Sequence, residues 1–285
     1  MIALLGGLIA ACAWGTSTIL AGKSSRQIGA ESTLGWVGIG GAIVITPAAI
    51  WYGIPPTAQP IDFLIVLVAA TGSVVGLRFT YKALSLGKVG VVVAITSTEG
   101  AIATIIAVLL GAQIGVIGGI GVVLASAGVA AVGLGRHASD SAETVKDGRR
   151  AVANASIAAA IFGSSLYVSG DIARRVGPPW VVMGARWLGV LTMALPLIVT
   201  RRFGTARPAI WFAMVAGVCE SAGFVGFLWG AETSIGVAAV VATQYATVAT
   251  LLSWIVLRER LSRLQIAGVA IVILGVALLG WSGEA

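Results

Sequence analysis

The stretch from Ser234 to Gly280 is written twice in this chain, and the duplication limits what the chain can become. It reads SIGVAAVVATQYATVATLLSWIVLRERLSRLQIAGVAIVILGVALLG. The earlier copy, KVGVVVAITSTEGAIATIIAVLLGAQIGVIGGIGVVLASAGVAAVG, runs from Lys88 to Gly133. Gly90 answers Gly236 at a spacing of 146 residues, while Gly121, Gly128 and Gly133 answer Gly268, Gly275 and Gly280 at 147. Upstream, Trp14-Gly15-Thr16-Ser17 answers Phe162-Gly163-Ser164-Ser165 at 148, and Gly22, Arg26 and Gly29 answer Gly170, Arg174 and Gly177. A repeat of this length means two equivalent structural units.

Each unit is made of apolar runs. Ten are present, at about 2–21, 33–51, 62–82, 88–110, 113–134, 152–171, 180–199, 208–230, 234–257 and 263–281. Crossing a hydrocarbon core of ~30 Å takes about 20 mostly apolar residues. Only 10% of the residues are charged, against about 25% in soluble domains. Lipid offers no partners to bare backbone groups, so such runs are helices or strands of a closed barrel. The runs show no alternation and are twice a barrel strand's length, which leaves helices. The expected fold is an all-α membrane protein of ten transmembrane helices. Residues 1–134 form the first five-helix repeat, 135–150 a polar linker and 151–285 the second repeat.

Five is an odd number, so the second repeat enters the membrane from the opposite side. Inverted-topology repeats are the architecture of secondary transporters that alternate access around a central site. Fourteen Lys and Arg residues lie in the loops after odd-numbered runs, and only Arg174 and Arg175 after even-numbered ones. The positive-inside rule then places both termini outside the cytoplasm of a multi-pass protein of the inner (cell) membrane.

Several function classes drop out. The net charge of +7 orients the protein and forms no aromatic-interleaved basic face for nucleic acid. Cys12 and Cys219 lie in apolar runs and make no disulfide framework. The lone histidine, His137, sits in the linker, and no metal-ligand cluster or catalytic dyad is present, so neither metal nor enzyme chemistry is expected. Ala21-Gly22-Lys23-Ser24 resembles a phosphate loop, but its first glycine would fall at Ser17 inside a membrane run, so no nucleotide cofactor is expected. Gly111-xxx-Gly115 and Gly72-xxx-Gly76 permit close helix approach, in a monomer or a homodimer alike.

The run Leu257-Arg258-Glu259-Arg260-Leu261, followed by Gln265, Gly268 and Gly275, resembles the end of an EamA domain of the drug/metabolite transporter superfamily. Trp14-Gly15-Thr16-Ser17 is similar to that family's first helix, and Arg186 with Pro196 to its second. The resemblance spans the chain as two tandem domains. It implies a ten-helix exporter of small metabolites, with the amino-acid and aromatic amino-acid branch as the nearest likeness. The first copy departs from the pattern, with Gln113 where the second has Glu259. Members of the family are commonly drawn with cytoplasmic termini, opposite to the charge count.

Ionisable groups inside membrane helices are costly and mark function by default. Glu99, Glu220, Arg78 and Arg186 are such groups. Measured from a turn at Gly204, Arg186 and Glu220 differ in depth by only ~3 Å, so they can pair, either as a structural lock or as part of coupling. Arg78 and Glu99 differ by ~10 Å, which leaves Glu99 without an obvious mate. Glu99 reads either as a proton or amine acceptor in a wet cavity, or as a neutral acid bonded to a neighbouring helix. Gln244-Tyr245 occupies the position equivalent to Glu99 in the second repeat, and Tyr245 reads as a substrate-facing aromatic or as ordinary packing. Trp14 beside Ser17, and Ser164 with Tyr167 on helix six, suit a pocket for a solute with apolar and polar parts. The alternative for the hydroxyls is bonding between helices. Trp36, Trp51, Trp180, Trp211, Trp229 and Trp281 lie near helix ends and read as interfacial anchors. The preferred function is export of amino acids or similar metabolites. Efflux of lipophilic cations is the alternative, and a non-transporting scaffold ranks behind both.

Overall fold

The computed structural model describes residues 1–86, 92, 95–135, 148–257 and 262–281. Most of the expected linker, His137, Gly90 and residues 258–261 of the LRERL run lie outside the described residues. All regular structure among the described residues is helical. In order these are α1 (Ile2–Ile28), α2 (Ala30–Tyr52), α3 (Pro60–Leu86), α4 (Glu99–Leu109), α5 (Val116–Gly135) and α6 (Gly148–Val176). Then come α7 (Pro178–Val199), α8 (Arg207–Ala231), α9 (Ile235–Ala242), α10 (Tyr245–Leu257) and α11 (Arg263–Trp281). Among the described residues, eight helices are long and apolar enough to span a membrane. The turns between the first two helices of each repeat fall on counterpart glycines, Gly29 and Gly177, with φ of 80° and 86°. That left-handed backbone favours glycine.

Apolar runs four and nine are not continuous rods. A turn at Ser97-Thr98 precedes α4, and one at Thr243-Gln244 separates α9 from α10. The two breaks share one hydrogen-bond pattern. Thr98 N–H donates to the Ile95 carbonyl at 3.1 Å, and Gln244 N–H to the Val241 carbonyl at 3.1 Å, each reaching back three residues instead of four. Side chains reinforce both turns. The Thr98 hydroxyl donates to Ile95 O at 2.7 Å, and the Thr243 hydroxyl and Gln244 amide donate to Val240 O at 3.0 and 2.9 Å. Short polar side chains that capture backbone carbonyls compete with the helical ladder. Hydropathy, which sees only the surrounding Val, Ile and Ala, passes over them.

The packing makes the inversion of the repeats visible. α5 and α11 are counterparts, and they cross antiparallel. Gly121 lies against Gly275 and Leu279, while Gly128 lies against Gly268 and Val272. Adding 147 to Gly121 and subtracting it from Gly275 gives Gly268 and Gly128, the second pair with its members exchanged, which is the signature of a twofold axis. The same operation relates α1·α8 to α6·α3. Trp14 covers Gly223 in one, and Phe162 covers Gly76 in the other. Gly72 likewise lies against Ser165 of α6, so the Gly72-xxx-Gly76 pattern serves contact within the chain. The two inverted repeats thus interlock, each described helix meeting its main partner from the other half.

Exposed side chains form the lipid-facing belt: Trp51 is 91% exposed and Trp281 83%. Two of the tryptophans expected as interfacial anchors do something else. Trp36 Nε1 donates to Gly204 O and its ring stacks on Phe203, while Trp180 Nε1 donates to Gly53 O and meets Phe63 edge-on. Both fasten a loop of the opposite repeat. At the end of the bundle near Gly53, Arg175 pairs with buried Asp62 at 2.8 Å, joining the last turn of α6 to the first turn of α3. Charges of those signs also suit the two helix dipoles.

Candidate functional site

A cavity of about 370 Å³ lies on the internal twofold axis. Its walls are largely counterpart positions of the two repeats. Trp14 and Phe162 both line it, as do Gly38 and Arg186, Ser73 and Glu220, Leu77 and Phe224, and Glu99 and Tyr245. The shape is therefore nearly symmetric, but the charge is not. Arg186 and Glu220 stand where the first repeat has Gly38 and Ser73.

Both helix breaks serve this cavity. Glu99 opens α4 and Tyr245 opens α10, each the first residue after its turn. A carboxylate at a helix N-terminus faces the positive end of the dipole. Glu99 is 8% exposed, and among the described residues no hydrogen bond or ion pair holds its carboxylate. The Tyr245 side chain faces that of Ser97, in the turn before Glu99. Trp14 meets Tyr245 edge-on at 6.3 Å between ring centres and leans against Phe224 at 6.2 Å. Its indole N–H donates to the Glu220 carbonyl at 3.3 Å. The result is an aromatic wall beside a cluster of three ionisable groups.

Arg186 and Glu220 pair at 3.5 Å, as their depths allow. The bond is a single long contact, and Arg186 Nε has no hydrogen-bond partner among the described residues. α7 carries a π-helical turn at Val190–Ala194, and Met193 from it lines the cavity. Such turns gather at functional sites in helices.

The remaining expected residues are not on the cavity wall. Gln244 is buried and turned toward α5, its amide donating to Val240 O and, at 3.4 Å, to Ala125 O. Ser17 is buried away from the cavity, and Tyr167 packs on the main apolar core. Ser164 is exposed and donates to Ala160 O at 2.8 Å, while Arg78 is exposed on α3. Ser73, Thr80, Thr96 and Phe224 line the cavity without having been singled out in the sequence. Extending the 147-residue spacing from the glycines to Glu220 and Phe224 would have pointed to Ser73 and Leu77. A second hollow of about 380 Å³, between α1, α2 and α8, is lined by Ile9, Val44, Val218 and Trp229 with Ser221 its one polar side chain. It lacks ionisable groups, so the central cavity is the stronger candidate.

Two inverted repeats, discontinuous helices and an ionisable central cavity define the class of small-molecule membrane transporters. The chain belongs to the EamA-like transporter family of the drug/metabolite transporter superfamily, whose model matches residues 1–134 and again 150–281. That family consists of transporters, not enzymes. No curated protein matches the chain. Twenty-nine chains of solved structures do. One, described only as "Crystal structure of protein", is 22% identical with a TM-score of 0.77, covering 97% of this chain and 95% of its own. At that identity it bears on the fold alone.

Proposed function

We propose that this protein is a secondary transporter that exports small organic metabolites, amino acids foremost, from the cytoplasm by alternating access through the central cavity. The observation that carries the reading is the asymmetric charge of a symmetric cavity. A guanidinium and two carboxylates face an aromatic wall, which suits a solute with an ionic head and an apolar body. Glu99 is the acceptor for the solute's amine, and Trp14, Phe224 and Tyr245 enclose its side chain. The cavity runs from mid-span toward the ends of α2 and α3 that carry Leu34 and Thr80. By the positive-inside count that is the cytoplasmic end of an inner-membrane protein with outward termini. The opposite end is held shut by Asp62–Arg175 and the Trp180 tether.

Purified protein in liposomes, loaded with labelled amino acids with and without a pH gradient, tests the reading. Counterflow of at least one amino acid, reduced tenfold or more in Glu99→Gln, is the expected result. A second reading has its own support. Two carboxylates against one guanidinium leave the cavity with an excess of acid, which fits efflux of lipophilic cations. Flux of cationic dyes without flux of any amino acid would decide for it.

A further inference from the structure

Arg186 is under-used as a donor. A guanidinium offers five N–H groups in a rigid fork, yet among the described residues its one ion pair is a single 3.5 Å contact with Glu220. A charge-assisted N–H···O bond normally closes to about 2.7–2.9 Å. The Arg186 side chain is 16% exposed, and its Nε is buried without a partner. The surroundings are cut back to let it lie in this position. A Cβ on Gly41 would come within 2.8 Å of Arg186 Cδ and 2.6 Å of Ser221 Oγ, and Gly189, one turn along α7, has nothing within 4 Å of its own missing Cβ. Both Gly189 and Glu220 line the cavity with Arg186. The counterpart of this pair in the first repeat is Gly38 and Ser73, so no equivalent cation stands across the axis.

We propose that Arg186 is the anchor for a carboxylate on the transported solute, and that Glu220 is its resting partner, displaced when the solute binds. The assignment rests on the transporter reading above and sharpens it. The solute is a zwitterion with its carboxylate in the Arg186 fork. Its amine lies between the released Glu220 and Glu99, and its body lies against Trp14 and Phe224. The net charge of the cavity does not change, because a neutral zwitterion exchanges one ion pair for two. It also fixes the solute in a single orientation, since a second guanidinium is missing from the mirror position. Gly41 is a positioning residue, keeping the side chain of Arg186 along α2.

Binding to the full chain in lipid nanodiscs distinguishes the outcomes, using phenylalanine, phenethylamine (no carboxylate) and 3-phenylpropionate (no amine). The wild type is expected to bind phenylalanine tightest. In Arg186→Gln/Glu220→Gln the preference for phenylalanine over phenethylamine should fall at least tenfold. Phenethylamine, which leaves Arg186 paired with Glu220 and meets Glu99 alone, should lose far less than phenylalanine, and its binding also reports an intact fold. Gly41→Ala, which retains both charges, should lower the same ratio threefold or more and serves if the double variant does not fold. An unchanged ratio in the variant that folds overturns the anchor while leaving the transporter reading intact. A wild type that prefers phenethylamine also overturns it, in favour of the lipophilic-cation reading. Failure of the wild type to bind any of the three removes the amino-acid reading, and the anchor with it.

Discussion

The seam between α5 and α11 and the central cavity lie on the same internal axis, and they have been treated in opposite ways. At the seam the glycines of the two repeats agree: Gly121 faces Gly275, and Gly128 faces Gly268. Around the cavity the counterparts keep their places and change their chemistry, Gly38 to Arg186, Ser73 to Glu220 and Glu99 to Tyr245. Backbone against backbone tolerates only the smallest residue, so the symmetric solution persists where helices touch. A cavity wall has space on one side and carries no such constraint. Symmetry is kept where backbones touch and given up around the cavity.

The largest expected effect breaks the comparison on its asymmetric side. Arg186→Ala leaves Glu220 charged inside the bundle without its partner, a change that costs about 3–5 kcal/mol for a buried pair. Folded yield and thermal unfolding in detergent should both fall sharply, and Glu220→Gln in the same chain should restore part of the loss. No recovery in the double variant would show that the two side chains are energetically independent.

Next in size is a test of the seam. A Cβ on Gly275 would sit 2.5 Å from Ala125 N, and one on Gly128 would sit 2.8 Å from Gly268 O. Both neighbours are backbone and cannot step aside. Gly128→Ala and Gly275→Ala are twofold equivalents, so each should destabilise by about 1–3 kcal/mol, and by similar amounts. Melting temperatures that differ widely between the two variants would mean that the seam is less symmetric than its contacts.

Within the cavity, Glu99 and Tyr245 are counterparts with unequal expected roles. Glu99→Gln should cut flux at least tenfold in the liposome assay. Tyr245→Phe should cost only about threefold, because its ring remains against Trp14. A larger loss for Tyr245→Phe would move the solute's polar contact to the second repeat.

The fold was largely legible because hydropathy and repeat spacing are both properties of single residues and their separations. Ten runs, an odd number per half and the Arg186–Glu220 pairing all follow from counting along the chain. The helix breaks before Glu99 and Tyr245 did not, since they depend on whether Thr98, Thr243 and Gln244 turn back onto their own backbone or outward. Half of the site was legible for a related reason. Charged and aromatic residues such as Glu99, Glu220 and Trp14 stand out in apolar sequence. Which face a serine or glycine occupies depends on helix rotation, and no residue type announces that.

Ser164 makes the smallest prediction and a sharp one. It is the counterpart of Thr16, one position from Ser165, and the sequence offered Ser164 as a pocket hydroxyl. The structure separates the two serines by a third of a helical turn. Ser165 is 6% exposed and lines the cavity, while Ser164 is turned outward and donates to Ala160 O at 2.8 Å. Thr16 does the same in the first repeat, donating to Cys12 O at 2.8 Å. A hydroxyl satisfied by the preceding turn of its own helix adds little to packing, so Ser164→Ala should leave flux within twofold and the melting temperature within about 1 °C. Ser165→Ala, one residue on, should change the flux ratio between solutes, because Ser165 lines the cavity. If Ser164→Ala proved the more damaging of the two, α6 would be rotated about its axis in the working transporter, and the cavity wall drawn from its counterpart positions would have to be redrawn with it.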